Sequence, residues 1–197
     1  IAAALDFLGH DWSQSEICDL AIQLERRFNP LTGYQDAYGC GIGGLKRFNF
    51  NKYGNVSIQF LKSRILDNLS ISLIPTGLKR SSTNILSTID AEKSLALLND
   101  VENLVICQNV EEFCTVINTA WENKKKISES ILNDSISKLD EKLKSYCEGP
   151  HSARKLLGAG GGGYFLVMCN SGDRLSSKIN GTVPIKIDNE GVRVYAN

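Results

Sequence analysis

The sequence predicts an α+β fold, and three observations carry the prediction. Short runs rich in β-branched and aromatic residues, VSIQF (56–60), LSISLIP (69–75) and YFLVMC (164–169), read as strands. Capping boxes at Ser13/Glu16 and Asn109/Glu112 each open a stretch whose apolar residues recur at helical spacing. Strands are mixed with runs of helices along the chain, which places it in the α+β class.

Residues 1–9 (IAAALDFLG) read as the tail of a helix that Gly9 ends. Behind the Ser13 box, Ile17, Leu20, Leu24 and Phe28 form an apolar face until Pro30 stops the helix. GYQDAYGCGIGG (33–44) reads as a glycine-punctuated turn. LKRFNF (45–50) and VSIQF, separated by Lys52-Tyr53-Gly54-Asn55, read as a hairpin. The character changes near 62–68. The strand LSISLIP follows, and GLKRSS leads into a helix through Ile85, Ile89 and Leu95. Asn109 opens a long helix with Phe113, Val116, Ala120, Ile127 and Ile131 on one face, and a further helix runs through Ile136, Leu139 and Leu143. A glycine loop, the strand YFLVMC, a short helix near 172–180 and the strands VPIKI (183–187) and VRVYA (192–196) complete the chain.

At 197 residues the chain is long enough for one large or two small domains, and 42% hydrophobic with 22% charged residues is ordinary globular composition. Lys+Arg and Asp+Glu both number 22, so no basic excess points to nucleic acid. The single basic cluster, Lys124-Lys125-Lys126, reads as a solvated helix face. Six cysteines without a CxxC, and only two histidines, argue against zinc and for reduced thiols in a cytoplasmic protein. His10 and His151 have no Ser or Cys placed to make a triad and read as surface residues. No apolar run reaches the ~18 residues that span a membrane, and the sequence shows no signal peptide.

KLLGAGGGGYFLVMC (155–169) packs five glycines and one alanine into positions 158–163. Gly costs about 0.5–1 kcal/mol relative to Ala in ordered structure, so four in a row cost about 2–4 kcal/mol unless positive φ or close backbone approach is needed. Gly158, Gly160 and Gly163 satisfy G-x-G-x-x-G, as do Gly39, Gly41 and Gly44. The dinucleotide fingerprint needs a strand before the loop and a helix after it, whereas both loops here run into strands. No G-K-[S/T] follows either loop, so neither is a Walker A loop. A plain turn is one reading of Gly158–Gly163. The favoured one is a nest of backbone N–H groups lining a site where an anion comes close.

Asp36 sits between glycines in Gly33-Tyr34-Gln35-Asp36-Ala37-Tyr38-Gly39. It reads equally as a base that accepts a proton from a hydroxyl in phosphoryl transfer and as the cap of a short helix. Lys79 and Arg80, after Gly77 at a strand-to-helix turn, read either as phosphate-binding cations or as ordinary helix-start chemistry.

The chain resembles the GHMP kinases, the superfamily of galactokinase, homoserine kinase, mevalonate kinase and phosphomevalonate kinase. KLLGAGGGGYFLVMC looks like that family's third motif, and GYQDAYGCGIGGLKRFNF like the segment with its active-site Asp. The series G-x-Q-D, GG-x-x-x-F-x-F, TG-x-x-R, A-W-x-x-K-K and KLLGAGGGG occurs here at Gly33–Asp36, Gly43–Phe50, Thr76–Arg80, Ala120–Lys125 and Lys155–Gly163. It is most similar to the branch containing D-glycero-D-manno-heptose 7-phosphate kinase. The resemblance implies a two-layer architecture, with 1–66 a remnant of the family's N-terminal domain and 67–197 a ferredoxin-like C-terminal domain.

It also implies ATP and Mg²⁺ as cofactors, a sugar or sugar phosphate as acceptor, and Asp36 as the group that orients or deprotonates the acceptor hydroxyl. Gly33, Gln35 and Arg80 would lie near the sugar. Gly158, Ala159, Gly160, Gly161, Gly162 and Gly163 would shape the phosphate end of the site. Ala37 stands where the family usually has Gln, which bears on substrate identity. The P-x-x-x-G-L-G-S-S-S motif that wraps the ATP phosphates is not in these residues. The chain therefore reads as an N-terminally incomplete kinase, inactive by itself and inclined to self-associate. The alternatives are a non-catalytic sugar-phosphate- or nucleotide-binding relative, and a kinase of another branch acting on fucose or a mevalonate-like alcohol.

Overall fold

The computed structural model describes every residue except 10, 52, 62, 80–81, 96, 171–178 and 194–197. The chain divides into two compact units, Ile1–Leu61 with Ile187–Asn197, and Lys62–Lys186. Both combine helices with antiparallel strands, the α+β arrangement expected.

In the first unit the Ser13 box forms as the sequence requires. The Ser13 hydroxyl accepts from the Glu16 amide at 3.3 Å and the Glu16 carboxylate accepts from the Ser13 amide at 2.8 Å, opening α2 (Gln14–Arg26) after the short α1 (Ala2–Phe7). The buried face of α2 is Cys18 and Ile22, one residue round from the expected Ile17–Leu24 stripe. Phe28 is 90% exposed, because the helix ends at Arg26, whose Nε donates to the Thr32 carbonyl, and Phe28 lies beyond it. The expected turn at 33–44 is largely a helix, α3 (Gln35–Gly41). Tyr38 Oη donates to Asp19 at 2.8 Å and ties α3 to α2. Gly41 permits the approach, since a Cβ there would lie 2.2 Å from Cys18 Sγ.

The hairpin forms as β1 (Lys46–Phe50) and β2 (Val56–Phe60), paired from Lys46↔Phe60 to Phe50↔Val56. Its turn is held by the Asn51 side chain, which accepts from the Tyr53 and Asn55 amides, and by Gly54 at φ 83°. The chain from Ile187 returns to this unit, where the Gly44 amide donates to Asp188 O and the Val192 amide to Gly41 O. Val192 and Arg193 are not in a strand there, and the rest of the expected VRVYA lies outside the described residues.

The second unit is built on a four-stranded antiparallel sheet in the order β4-β5-β3-β6, with β3 Leu69–Pro75, β4 Ala153–Leu156, β5 Tyr164–Asn170 and β6 Val183–Ile185. Counted along the chain this order is 2-3-1-4, that of a split βαβ sheet. The helices between β3 and β4 are α4 (Ser82–Leu86), α5 (Ala91–Leu95), α6 (Leu97–Ile106), α7 (Val110–Lys125) and α8 (Asp134–Tyr146).

The single helix expected through Ile85, Ile89 and Leu95 is broken. Thr88 Oγ1 turns back onto the Ile85 carbonyl, and Asp90 accepts from the Glu92 and Lys93 amides to start α5. Helix α6 was not anticipated. Helix α7 opens at Asn109, whose side chain accepts from the Glu112 amide, but it ends at Lys125. Ile127 and Ile131 are buried from the chain beyond it, where Ser128 accepts from the Ser130 amide and starts a 3-10 turn, Glu129–Ile131.

Strand β4 was also not anticipated. Asn118 of α7 holds it, donating to Ser152 O at 2.9 Å and accepting from the Arg154 amide at 3.1 Å. Phe165, Val167 and Cys169 alternate inward from β5 onto Trp121, Ile131, Ile136, Leu143 and Leu156. Trp121 meets Phe165 edge-to-face at 5.7 Å. The short helix expected near 172–180 falls almost wholly outside the described residues. No helix among the described residues is long and apolar enough to cross a membrane, and all six cysteines are free thiols.

Candidate functional site

The glycine run is the loop of the β4–β5 hairpin, Leu156 pairing with Phe165 across its base. Leu157 N donates to Tyr164 O and closes the ladder. Beyond that the chain takes positive φ at Gly158, Gly160, Gly161 and Gly163, a sequence of conformations that side-chain-bearing residues resist.

The loop is pressed against its own unit. A Cβ on Gly160 would stand 2.9 Å from Ile131 Cα, one on Gly161 2.3 Å from Ile85 Cδ1, and one on Gly162 2.8 Å from Leu78 O. The Gly161 amide donates to Ile131 O at 3.0 Å and the Gly163 amide to Leu78 O at 3.3 Å. Packing and backbone geometry therefore account for Gly160–Gly162 without a ligand, a larger structural share than the sequence implied. The amides of Gly158, Ala159 and Gly162 donate to no described residue, and Gly158 is exposed with Ala159 half-buried.

Because Pro75 pairs with Tyr164, the chain leaving β3 emerges beside this loop. Thr76 Oγ1 and Thr76 N both donate to Gly163 O at 2.9 Å, and the Leu78 amide returns to Thr76 Oγ1 at 3.3 Å. Gly77, at φ 72°, makes the turn, and Lys79 follows it exposed. Two of the sequence motifs, TG-x-x-R and the glycine run, thus form one structure at one end of one sheet. Arg80 itself lies outside the described residues.

A third motif, A-W-x-x-K-K, reaches the same place. Lys124 Nζ donates to Leu156 O at 3.2 Å and to Gly158 O, at the point where β4 becomes the loop. Lys125 turns to α8, donating to Asp140 at 3.0 Å and to Glu122 at 2.8 Å. Trp121 Nε1 and Arg154 Nε also donate to Asp140, at 2.9 and 2.7 Å. The reading of Lys124–Lys126 as a solvated face is corrected for the first two, which are half-buried and bonded; Lys126 alone is exposed.

Burial pushes the Asp140 carboxyl up. The hydrogen bonds from Trp121, Lys125 and Arg154, with the Arg154 charge, outweigh it and hold the pKa below the ordinary value. Burial likewise lowers Lys125, and its two carboxylate partners more than reverse that. The roles of Lys124 and Asp140 escaped the sequence reading, although the motif itself was visible.

In the first unit Gln35 and Asp36 occupy the first turn of α3, both exposed, with Asp36 on the side that favours negative charge. Among the described residues Asp36 makes no side-chain hydrogen bond. Gly33, just before α3, has no neighbour within 4 Å of a would-be Cβ. No three His, Cys, Asp or Glu side chains among the described residues are grouped to hold a metal.

No protein-family model matches the chain. Its structure superposes on Streptococcus pneumoniae phosphomevalonate kinase, solved with phosphomevalonate and AMPPNP, at a TM-score of 0.74 with 15% identity over 93% of this chain. Lactococcus lactis galactokinase, solved with galactose, matches at 0.61 with 13% identity over 96% of it. The fold is that of the GHMP kinases. A Bacteroides fragilis L-fucokinase/L-fucose-1-P guanylyltransferase is 25% identical over 187 aligned residues, which take in 85% of this chain. The chain spans 65% and 63% of the two solved GHMP kinases and 19% of the fucokinase.

Proposed function

We propose that the protein carrying this chain transfers a phosphoryl group from ATP to a hydroxyl of a sugar or sugar phosphate. The observation that carries the reading is the joined structure of the glycine loop and the Thr76–Leu78 turn, which leaves the Gly158 and Ala159 amides without a partner among the described residues. Unobstructed amides of this kind receive anionic oxygens. The GHMP kinase fold and the similarity to an L-fucokinase support the same reading.

ATP supplies the phosphoryl group and its leaving ADP. These residues position it, since phosphoryl transfer rests almost wholly on placement and charge. The Gly158 and Ala159 amides hold phosphate oxygens. Asp36 takes the proton of the acceptor hydroxyl as that oxygen bonds to phosphorus and the bond to ADP breaks. Gly33 and Gln35, beside Asp36, contact the acceptor. Among the described residues no three His, Cys, Asp or Glu side chains are grouped to hold Mg²⁺.

The motif series favours a heptose 7-phosphate as acceptor, and the relative's name favours L-fucose. Initial rates of ADP release against L-fucose, heptose 7-phosphate, galactose and mevalonate decide among them. Asp36→Asn is expected to lose most of kcat, about 10²-fold or more, while AMPPNP still binds. Unchanged turnover would remove Asp36 from the chemistry, and ADP release indifferent to every sugar would overturn the reading.

A further inference from the structure

We infer that Lys124 is a positioning residue for the anion site, setting the direction in which the Ala159 amide points; the inference rests on the nucleotide reading above. A trans peptide is planar, and its C=O and N–H point to opposite sides. The Gly158 carbonyl and the Ala159 N–H belong to one such plane. Lys124 Nζ holds that carbonyl, together with Leu156 O two residues earlier at the end of β4, from its place near the end of α7. With the oxygen drawn toward α7, the Ala159 N–H faces away from the helix, and no described residue accepts from it.

A flip of this plane turns ψ of Gly158, which at φ 66° has no Cβ to oppose it, and φ of Ala159, whose Cβ does; the ammonium adds its own preference for the observed orientation at the glycine side. The bond is charge-assisted. An ammonium at the oxygen end of a peptide dipole also polarises the group and strengthens its N–H as a donor.

The lysine is itself well fixed. Its neighbour Lys125 is anchored in the opposite direction to buried Asp140, which also takes Trp121 and Arg154, and Arg154 belongs to β4, the strand that delivers the loop. Two adjacent lysines on one helix therefore divide the labour. Lys125 fixes the helix to α8, and Lys124 fixes the first peptide of the loop.

The test compares wild type, Lys124→Met and Lys124→Arg in the full-length protein, labelled with ¹⁵N-alanine. The Ala159 resonance is assigned by its loss in Ala159→Gly. Inorganic phosphate and AMPPNP are titrated, and melting temperatures are recorded alongside. The wild-type Ala159 amide is expected to shift on titration. In Lys124→Met the shift is expected to vanish and AMPPNP affinity to fall about tenfold, the scale of one charge-assisted hydrogen bond. Lys124→Arg is expected to restore both to within about threefold.

An equal Ala159 shift and equal affinity in wild type and Lys124→Met would overturn the role of Lys124 and leave the nucleotide reading standing. A wild-type Ala159 amide silent to both ligands would overturn the nucleotide reading and this role with it. Should Lys124→Met fail to fold, Lys124→Leu, which also lacks a donor, carries the same comparison, and a wild-type Ala159 shift and affinity in it would refute the positioning role.

Discussion

Replacing Asp140 by Asn tests what holds the helices to the sheet beneath the candidate site. Asp140 is 2% exposed and receives hydrogen bonds from Trp121, Lys125 and Arg154, and Arg154 is itself only 6% exposed. Asn fills nearly the same volume and can still accept from Trp121, so packing is conserved and the charge alone is lost. Two cations then remain against a neutral amide, one almost without water, with half-exposed Glu122, 2.8 Å from Lys125 and 3.7 Å from Arg154, as their remaining carboxylate. Breaking a buried pair from one side costs about 3–5 kcal/mol where the surviving charge is left uncompensated, and Glu122 keeps the loss here toward the lower figure.

For a unit of this size that is a fall in melting temperature of roughly 10–20 °C. Thermal and urea denaturation at pH 7 measure it. The double variant Asp140→Leu with Arg154→Met should recover most of the loss, since an apolar pair of similar volume often replaces a buried ion pair at little cost. A loss below about 1 kcal/mol in Asp140→Asn, the range of exposed pairs, would refute the claim that the network is desolvated.

The pH dependence has a definite sign. With its folded pKa held below 3.8, Asp140 contributes stability that is complete above 3.8 and is lost as pH falls through the folded value. Lys125, raised above 10.5, contributes stability that is complete below 10.5 and is lost as pH rises through its folded value. The contribution of this pair to the wild-type melting temperature is therefore level between these limits and falls outside them, and the acid limb should be shallower in Asp140→Asn.

Gly160→Ala, which combines φ 118° with a Cβ 2.9 Å from backbone at Ile131, should cost more than the ~1–2 kcal/mol of a left-handed residue alone and weaken AMPPNP binding; wild-type stability would show that the loop has room to move. Asn118→Ala removes two of the side-chain bonds that hold β4 to α7 and should cost about 1–3 kcal/mol in urea denaturation, with faster amide exchange at Ser152–Arg154.

What the sequence disclosed was the local part of the structure. The Ser13 and Asn109 caps, the hairpin at 45–60 and the strands β3 and β5 are each written in a few neighbouring residues. What escaped it depends on partners distant in the chain. Strand β4 reads Ala-Arg-Lys-Leu, and two charges in four residues look like a solvated turn. Arg154 is in fact buried against Asp140, fourteen positions earlier, and the strand's edge is covered by Asn118. Helical spacing carried the reading of α7 on to Ile131, because Ile127 and Ile131 do face the same core, although a 3-10 turn and not the helix delivers them. On α2 the stripe from Ile17 to Phe28 outweighed Cys18 and Ile22 by apolar count, yet α3 packs on the latter pair because Gly41 lets its backbone come close to Cys18.

The glycine run joins these two kinds of information. Its composition was visible, and a mobile connection would have been one way to use it. The structure uses the missing side chains differently on the loop's two sides. Toward the unit's interior, Gly160, Gly161 and Gly162 let Ile131, Ile85 and Leu78 come closer than any Cβ would allow, so three separate segments are drawn onto one loop. At its start, Gly158 takes a positive φ and its carbonyl is held by Lys124. Packing on one side removes the freedom that glycine would otherwise give, and a loop fixed in this way does not lose that entropy again when an anion arrives. Rigid N–H groups, ordered during folding rather than during binding, are what an anion site requires. The energy that glycine withholds from the folded chain is thus offset by contacts with Ile131, Ile85 and Leu78, which fix the middle of the loop, while Lys124 holds its start, where the Gly158 and Ala159 amides have no partner among the described residues.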